Sequence, residues 1–258
     1  MEQYLDFMGI FEKYINCMDI FKDGVRKMTI DFSTYRKGDI DKNLERMAIA
    51  PLDVMVTGVT GAGKSTTLNA FFQKNVAKVG TGVDPETMEV GDYSLNDSFR
   101  IWDTPGLGDG IVMDELHKRK MTNLLCKTYV KDDKRYGFID MVMVVIEGAN
   151  RDMGSTYTLL NEVIIPNIQP DRILVMINQA DMAMKGRHWN HITQTPDAQL
   201  LSFLEQQAHS IQDRIYEATG IKIMKPIYYS AAYKWNVQAV MDCIIDHMPT
   251  QRRTLSTL

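Results

Sequence analysis

Residues 52–72 read LDVMVTGVTGAGKSTTLNAFF, and three local patterns follow one another in this stretch. Its opening, LDVMVTG, is a short apolar run typical of a buried β-strand. The next part, GVTGAGKS at Gly58–Ser65, has the spacing G-x-x-x-x-G-K-[ST], and a helical pattern follows from Lys64 to Phe72. A strand, a glycine-rich turn and a helix in this order predict a loop that binds phosphate groups.

The predicted phosphate loop gives each of its residue types a chemical role. Glycines let the backbone turn tightly and present successive N–H groups, while the start of the helix adds its positive dipole end. Lys64 is expected to reach the β- and γ-phosphates, and the Ser65 hydroxyl to coordinate Mg²⁺. The flanking strand and helix disfavour the alternative, a glycine-rich turn with a chance lysine. The predicted nucleotide contacts are Thr60, Gly61, Ala62, Gly63, Lys64, Ser65 and Thr66.

A second motif, WDTPGLGDG at 102–110, follows another apolar run. Asp103 is predicted to help organise Mg²⁺, and Gly106 to offer an unhindered N–H to a γ-phosphate. Asp, Pro and Gly also form plain turns. Downstream of a phosphate loop, however, the motif is more typical of a nucleotide-sensing switch.

From Leu52 onward, short apolar runs alternate with helical patterns. Strands are predicted at 52–58, 98–103, 139–147, 172–178 and 225–231, with an antiparallel edge strand at 88–95. Helices are predicted at 64–72, 113–130, 155–165, 197–219 and 237–247. Strands that alternate with helices imply an α/β domain whose mostly parallel sheet is covered on both faces.

The first 50 residues have a different pattern. Apolar side chains recur at helical spacing from Tyr4 to Met28, which predicts an amphipathic helix, and a second short helix is predicted near 40–49. Pro51 then marks a boundary between an N-terminal helical extension, 1–50, and a nucleotide-binding domain, 51–258. Too few heptads are present to favour a coiled coil, so we expect the helix to pack on its own domain.

Composition excludes several functional classes. The net charge is -4, which gives no general attraction to nucleic acid or anionic lipid. The longest aliphatic stretch, MVMVVI at 141–146, is too short to span a membrane, and the N-terminus lacks the basic region of a signal peptide. Three cysteines stand in no paired motif, which favours reduced thiols. We therefore expect a cytoplasmic protein.

Short basic and histidine clusters have alternative interpretations. The runs HKRK at 117–120 and KDDKR at 131–135 could form an RNA or ribosome surface, but runs this short usually lie on a solvated helix face or loop. His188 and His191 could suggest a metal site. No Cys or acidic cluster completes one, which favours an insertion in the nucleotide-binding domain.

Four motifs together resemble a known class of proteins. GVTGAGKSTTLN, DTPGLGDG, NQAD and YYSAAYKWN, in this order, are similar to motifs of the TrmE-Era-EngA-Septin-like GTPases, and most similar to bacterial, prophage-associated Era-like GTPases of the YfjP/YeeP type. The resemblance covers about Leu52 to Met248. It implies a three-layer P-loop G domain with a mixed, mostly parallel six-stranded sheet, and Mg²⁺-dependent binding of GTP and GDP.

The resemblance also assigns the residues that read the base. Asp181 is expected to accept hydrogen bonds from the N1–H and exocyclic amine of guanine, a pair of donors that adenine lacks, so an ATP-driven enzyme is disfavoured. Asn178 is expected to bond the base and brace the phosphate loop, and Ser230 and Ala231 to supply a backbone N–H to guanine O6. Gln179 stands where the family has lysine, and its shorter stem is expected to lower affinity modestly without changing selectivity.

The first switch is expected between Asn75 and Val90. Within it, Thr87 resembles the threonine that binds Mg²⁺ in the family, and Thr81 is the alternative. Lys64, Thr87 and Gly106 are thus the predicted catalytic contacts, with Ser65, Thr87 and Asp103 at the metal.

Two departures from the family bear on hydrolysis. Leu107 stands where Ras-like enzymes place a glutamine that orients water, and Gly61 stands where potassium-dependent relatives have an asparagine. The loop is more similar to those of septins and AIG1-type GTPases, which often pair G domains across the nucleotide face. Asp109 and His117 are candidate groups that could polarise water, although a histidine on a helical face is more often only solvated.

These departures predict a GTPase of low intrinsic activity. Such an enzyme would act as a switch that is activated by self-association or by a partner, and an effector protein or the ribosome is a candidate partner. The alternative is a septin-like assembly protein with negligible hydrolysis.

Overall fold

The computed structural model describes residues 30–48, 50–73, 91–149 and 153–253. Its helices are α1 (Lys37–Met47), α2 (Lys64–Phe72), α3 (Ile111–Cys126), α4 (Gly154–Thr158, continued by a π-helical turn at Leu159–Ile164), α5 (Ala198–Thr219) and α6 (Val237–Asp246). Its strands are β1 (Leu52–Gly58), β2 (Gly91–Asn96), β3 (Phe99–Asp103), β4 (Thr128–Lys131), β5 (Lys134–Gly137), β6 (Met141–Glu147), β7 (Ile173–Asn178), β8 (Trp189–Asn190), β9 (Thr195–Pro196) and β10 (Ile227–Tyr228).

Six strands form one mixed sheet in the order β10-β7-β6-β1-β3-β2. All neighbours in it are parallel except β2 and β3, which pair antiparallel. The predicted α/β fold with a mostly parallel six-stranded sheet is therefore confirmed. Because the carboxyl ends of parallel strands meet at one edge, the loops after β1, β3 and β7 converge there.

The core explains why the central strands read as continuous apolar runs. Every residue of β1 and β7 is buried, and in β6 only the last residue is partly exposed. Helix α5 covers one face with side chains spaced four, four, three and four residues apart, namely Leu200, Leu204, Ala208, Ile211 and Ile215. Burial on both faces of the sheet removes the polar alternation of a half-exposed strand.

One predicted helix is wrong at its end. The pattern at 113–130 predicts a single helix, but α3 ends at Cys126 and a β-hairpin of β4 and β5 follows. Asp132 and Asp133 both take left-handed backbone angles, with φ of 52° and 58°, which suit a tight hairpin turn. The rings of Tyr129 and Tyr136 face each other across the two strands, with centroids 5.8 Å apart. The run KDDKR forms this exposed turn.

Helix α1 lies at 37–47, three residues before the predicted start at 40. Arg36, directly before it, forms ion pairs with Asp242 at 3.0 Å and with Asp246 at 2.7 Å, both on α6. The larger compact unit of the chain begins at Phe32 and includes α1. The boundary between an N-terminal extension and the nucleotide-binding domain at Pro51 stays a prediction. The predicted helix from Tyr4 to Met28 lies outside the described residues.

Within the described ranges, no helix combines the length and apolarity needed to cross a membrane. Cys126 and Cys243 are free thiols, and Cys17 lies outside those ranges.

Candidate functional site

The loop between β1 and α2 has the backbone that its glycines predict. Gly61 and Gly63 take φ angles of 83° and 85°, a left-handed region that other residues enter only with strain. A Cβ atom on Gly63 would lie 2.2 Å from Nδ2 of Asn178, whereas a Cβ on Gly61 would meet nothing within 4 Å. Gly63 is therefore required for its small size as well as its backbone angle.

Asn178, at the end of β7, joins three of the sequence motifs. Its Nδ2 donates to the carbonyl of Ala62 at 3.0 Å, and its Oδ1 accepts the backbone N–H of Ala231 at 3.0 Å. One buried amide thus connects the phosphate loop with the SAAYK segment, using both its donor and its acceptor.

Lys64 is buried, and among the described residues the hydrogen-bond partners of its ammonium group are two carbonyls of the loop. Nζ donates to the carbonyls of Val59 at 3.1 Å and Gly58 at 3.3 Å. Burial lowers the pKa of Lys64 to about 8, although the charges of Asp103 and Asp109 oppose this shift. A buried ammonium without a direct carboxylate contact is stabilised by an anionic ligand such as a phosphate.

Asp103, at the end of β3, is buried beside Ser65. Its Oδ2 lies 3.5 Å from the Ser65 hydroxyl, and its Oδ1 has no hydrogen-bond partner among the described residues. Burial raises the pKa of Asp103 to about 6. A carboxylate oxygen without a partner beside a hydroxyl fits the oxygen ligands that Mg²⁺ prefers, so these residues suit the metal. Thr87 and the alternative Thr81 lie outside the described residues.

The residues predicted to read guanine come together at the same edge. Oδ1 of Asp181 accepts a hydrogen bond from the Ser230 hydroxyl at 2.5 Å. Ala231 is the next residue after Ser230 in the chain. Gln179 takes a left-handed backbone with φ of 60°, and its Nε2 donates to the carbonyl of Gly61 at 2.8 Å. The sequence did not suggest this contact between Gln179 and the phosphate loop.

The DTPGLGDG segment lies directly on the phosphate loop. The carbonyl of Leu107 accepts the N–H of Thr60 at 2.8 Å, and the N–H of Leu107 donates to the Gly58 carbonyl at 3.4 Å. A Cβ on Gly106 would lie 2.6 Å from the Thr60 nitrogen and 2.8 Å from Nζ of Lys64. Gly106 therefore adjoins the buried lysine.

The expectation of a solvated His117 is wrong. Its side chain is fully buried, and Nδ1 lies 2.7 Å from the Gly106 carbonyl, an acceptor, so Nδ1 carries the hydrogen. Asp109, the other candidate group, accepts from the Thr60 hydroxyl at 3.0 Å. The buried residues of α3 are His117, Met121, Leu124 and Leu125, an i, i+4, i+7, i+8 pattern that indicates an inward face.

His188, one of the two histidines that could suggest a metal site, contacts a single carboxylate. Nδ1 of His188 contacts Oδ2 of Asp197 at 2.7 Å. In the part of the chain that the structure describes, no three His, Cys, Asp or Glu side chains gather closely enough to hold a metal ion.

We predict that the two loop glycines differ in their tolerance of alanine. Gly61→Ala adds backbone strain of about 1–2 kcal/mol, whereas Gly63→Ala adds similar strain and also displaces Asn178. Gly63→Ala should therefore lower the free energy of unfolding, measured by urea denaturation without nucleotide, by at least about 1 kcal/mol more than Gly61→Ala. Equal losses in the two variants would contradict the contact between Gly63 and Asn178.

Among solved structures, several GTPases share this fold at low sequence identity. Toc33 from Arabidopsis thaliana in complex with GDP and Mg²⁺ is 15% identical, with a TM-score of 0.57, and the match covers 86% of this chain and 93% of that one. Era from Aquifex aeolicus bound to GDP and aluminium fluoride is 18% identical, with a TM-score of 0.51, covering 78% of this chain and 58% of that one. At these identities the likeness shows the fold alone.

Curated relatives and a family model extend the comparison. Translocase of chloroplast 120 from Arabidopsis thaliana is 27% identical over 213 residues, which cover 76% of this chain but only 18% of that protein. The probable GTP-binding protein EngB of Geobacillus kaustophilus is 26% identical over 141 residues, covering 54% of this chain and 67% of that protein. The model described as 50S ribosome-binding GTPase matches residues 53–212, more than half of the chain. The chain therefore belongs to this family of GTPases.

Proposed function

We propose that this chain is a switch that binds GTP or GDP with Mg²⁺, hydrolyses GTP slowly by itself, and is activated by a second copy of the chain. The observation that carries this proposal is the position of Leu107 against the phosphate loop. Its backbone is bonded to Thr60 and Gly58, while its side chain is buried and apolar. Leu107, the residue that follows DTPG, therefore contacts the phosphate loop but has no polar side-chain group to orient water.

The phosphate loop and its neighbours would hold the nucleotide. Lys64 would turn its ammonium from the loop carbonyls to the β- and γ-phosphates, and the Gly106 N–H would meet the γ-phosphate. Ser65 and Asp103 would hold Mg²⁺, with Thr87 as the first choice and Thr81 as the second for the switch I ligand. When bound, Mg²⁺ would neutralise the charge that develops on the phosphate oxygens.

Contacts beyond Gly106 would carry the signal to α3. The carboxylate of Asp114 accepts hydrogen bonds from the N–H of Gly108 at 2.8 Å and the N–H of Asp109 at 3.1 Å. Nδ1 of His117 donates to the Gly106 carbonyl at 2.7 Å. A γ-phosphate beside Lys64 would move Gly106, and these bonds would pass the movement into the first two turns of the helix.

The start of α3 offers an apolar surface to a partner. Ile111 and Val112 are 86% and 82% exposed, and they follow the switch segment directly. If the switch segment moves with the nucleotide, exposed apolar side chains next to it would suit a contact whose strength depends on the nucleotide. Dimerisation is important for the GTPase activity of the chloroplast translocon components atToc33 and psToc159, to which this chain is similar in fold at a TM-score of 0.59 and 15% identity. This property of proteins with the same fold supports a second copy as the partner here.

The basic run at 117–120 gives little support to ribosome binding. His117 is buried, and Lys118 is paired with Glu115 at 2.8 Å and with Glu162 at 2.7 Å. The family description still makes the ribosome a candidate effector. We retain a bacterial, cytoplasmic protein of the YfjP/YeeP type as a prediction from the sequence motifs.

Guanine selectivity is the first prediction. Labelled GDP should be displaced by GTP but not by equal concentrations of ATP in a fluorescence titration. Asp181→Asn should weaken the binding of GDP about 10- to 100-fold, because it removes a charged acceptor but keeps the size of the side chain. Displacement by ATP, or an unchanged affinity in the variant, would contradict the assignment of Asp181.

Activation by self-association is the second prediction. GTP turnover per molecule should rise with protein concentration, because contact between two copies would supply the polar group for orienting water that Leu107 lacks. Val112→Asp should flatten this rise without unfolding α3, since an acid is favourable in the first turn of a helix. Val130→Asp is the matched control, because Val130 is also exposed but lies in β4, away from the switch segment.

A slow, constant turnover at every concentration would exclude self-activation. If single-turnover measurements also show no hydrolysis above the spontaneous rate, the alternative of a septin-like assembly protein would be favoured.

A further inference from the structure

A small hairpin follows the guanine-reading motif and packs against the segment after Ser230. It consists of β8 and β9, and its residue Trp189 is 5% exposed. The Trp189 ring lies 5.3 Å from the ring of Tyr233 and 5.8 Å from that of Trp235, measured between centroids. The geometry with Trp235 is edge to face, an arrangement that aromatic pairs favour.

The backbone of Trp235 is hydrogen-bonded to Ser230, the residue whose hydroxyl contacts Asp181. Trp235 and Ser230 exchange two backbone hydrogen bonds, each 3.0 Å long. The Ser230 hydroxyl then donates to Asp181. A continuous set of contacts therefore runs from Trp189 through Trp235 and Ser230 to the carboxylate assigned to guanine.

The base of the hairpin is fixed to a long helix. The Asp197 N–H donates to the His188 carbonyl at 2.9 Å, and the Asp197 carboxylate caps α5 by accepting the Leu200 N–H at 2.9 Å. Because α5 packs its apolar face into the core, the hairpin has a rigid support.

Packing, not hydrogen bonding, holds the Trp189 ring. Its buried Nε1 has no hydrogen-bond partner within the described residues. Since an unpaired buried donor is unfavourable, the stability of this position must come from the contacts of the ring. Removing the Trp189 ring would therefore loosen the packing of Trp235 and of the segment 230–235.

We propose that the β8–β9 hairpin is a specificity brace, in which Trp189 is a positioning residue that holds Ser230 and Asp181 in the geometry that selects guanine. This inference rests on the proposed function, because it assumes that Asp181 reads the base. It adds Trp189, a residue outside the motif, to the residues on which the preference for guanine depends.

The test compares GDP with IDP, whose base lacks the exocyclic amine of guanine. The ratio of their affinities reports the bond between that amine and Asp181. Trp189→Ala should lower this ratio about tenfold, the effect of losing one hydrogen bond to a charged group, and Trp189→Phe should retain most of it. Tyr136→Ala, which removes a ring from the other hairpin, should leave the ratio unchanged.

Each outcome distinguishes the brace from its premise. An unchanged ratio in folded Trp189→Ala would overturn the brace while leaving the proposed function intact. If that variant does not fold, Trp189→Leu replaces it, with a smaller drop expected and an unchanged ratio again contradicting the inference. If the wild-type chain shows no preference for GDP over IDP, the premise fails, and the brace fails with it.

Discussion

Two of the hydrogen bonds of the Asn178 side chain, those to Ala62 and Ala231, hold the candidate site together. They fix the phosphate loop at Ala62 and the SAAYK segment at Ala231 to the end of a fully buried strand. A second tie lies nearby, because the Tyr229 hydroxyl bonds to Thr67 at 2.7 Å and Thr67 bonds back to the Gly63 carbonyl at 2.8 Å. The phosphate loop and the segment after β10 are therefore held to each other through side chains at the same edge of the sheet.

Burial at the same edge leaves two charged groups incompletely compensated. The pKa of Lys64 is lowered and that of Asp103 is raised, so burial pushes both groups towards their neutral forms. A nucleotide phosphate would favour the charged lysine, and Mg²⁺ would favour the charged carboxylate. The proposed ligands would therefore supply charges that stabilise both groups at this edge.

Local motifs made much of the fold and site predictable, whereas contacts between distant residues did not. The sheet follows from apolar runs, and Gly63, Lys64, Asp103 and Asn178 stand where their motifs put them. The burial of His117 does not follow from the sequence, because it depends on the phase of α3 against the sheet. The hairpin after Cys126 does not follow either, because Asp132 and Asp133 adopt left-handed angles within a pattern that continues the helix. No local pattern connects Trp189 with Trp235, since their contact arises only from tertiary packing.

The most direct test of this account is hydrogen–deuterium exchange of the Asn178→Ala variant in the absence of nucleotide. Peptides covering the phosphate loop, 58–66, and the segment 229–233 should both exchange faster than in the wild-type protein, while β6 keeps its protection. Faster exchange in both segments would show that one side chain couples them. Faster exchange in only one segment, or in neither, would contradict the claim that Asn178 holds the two halves of the site together.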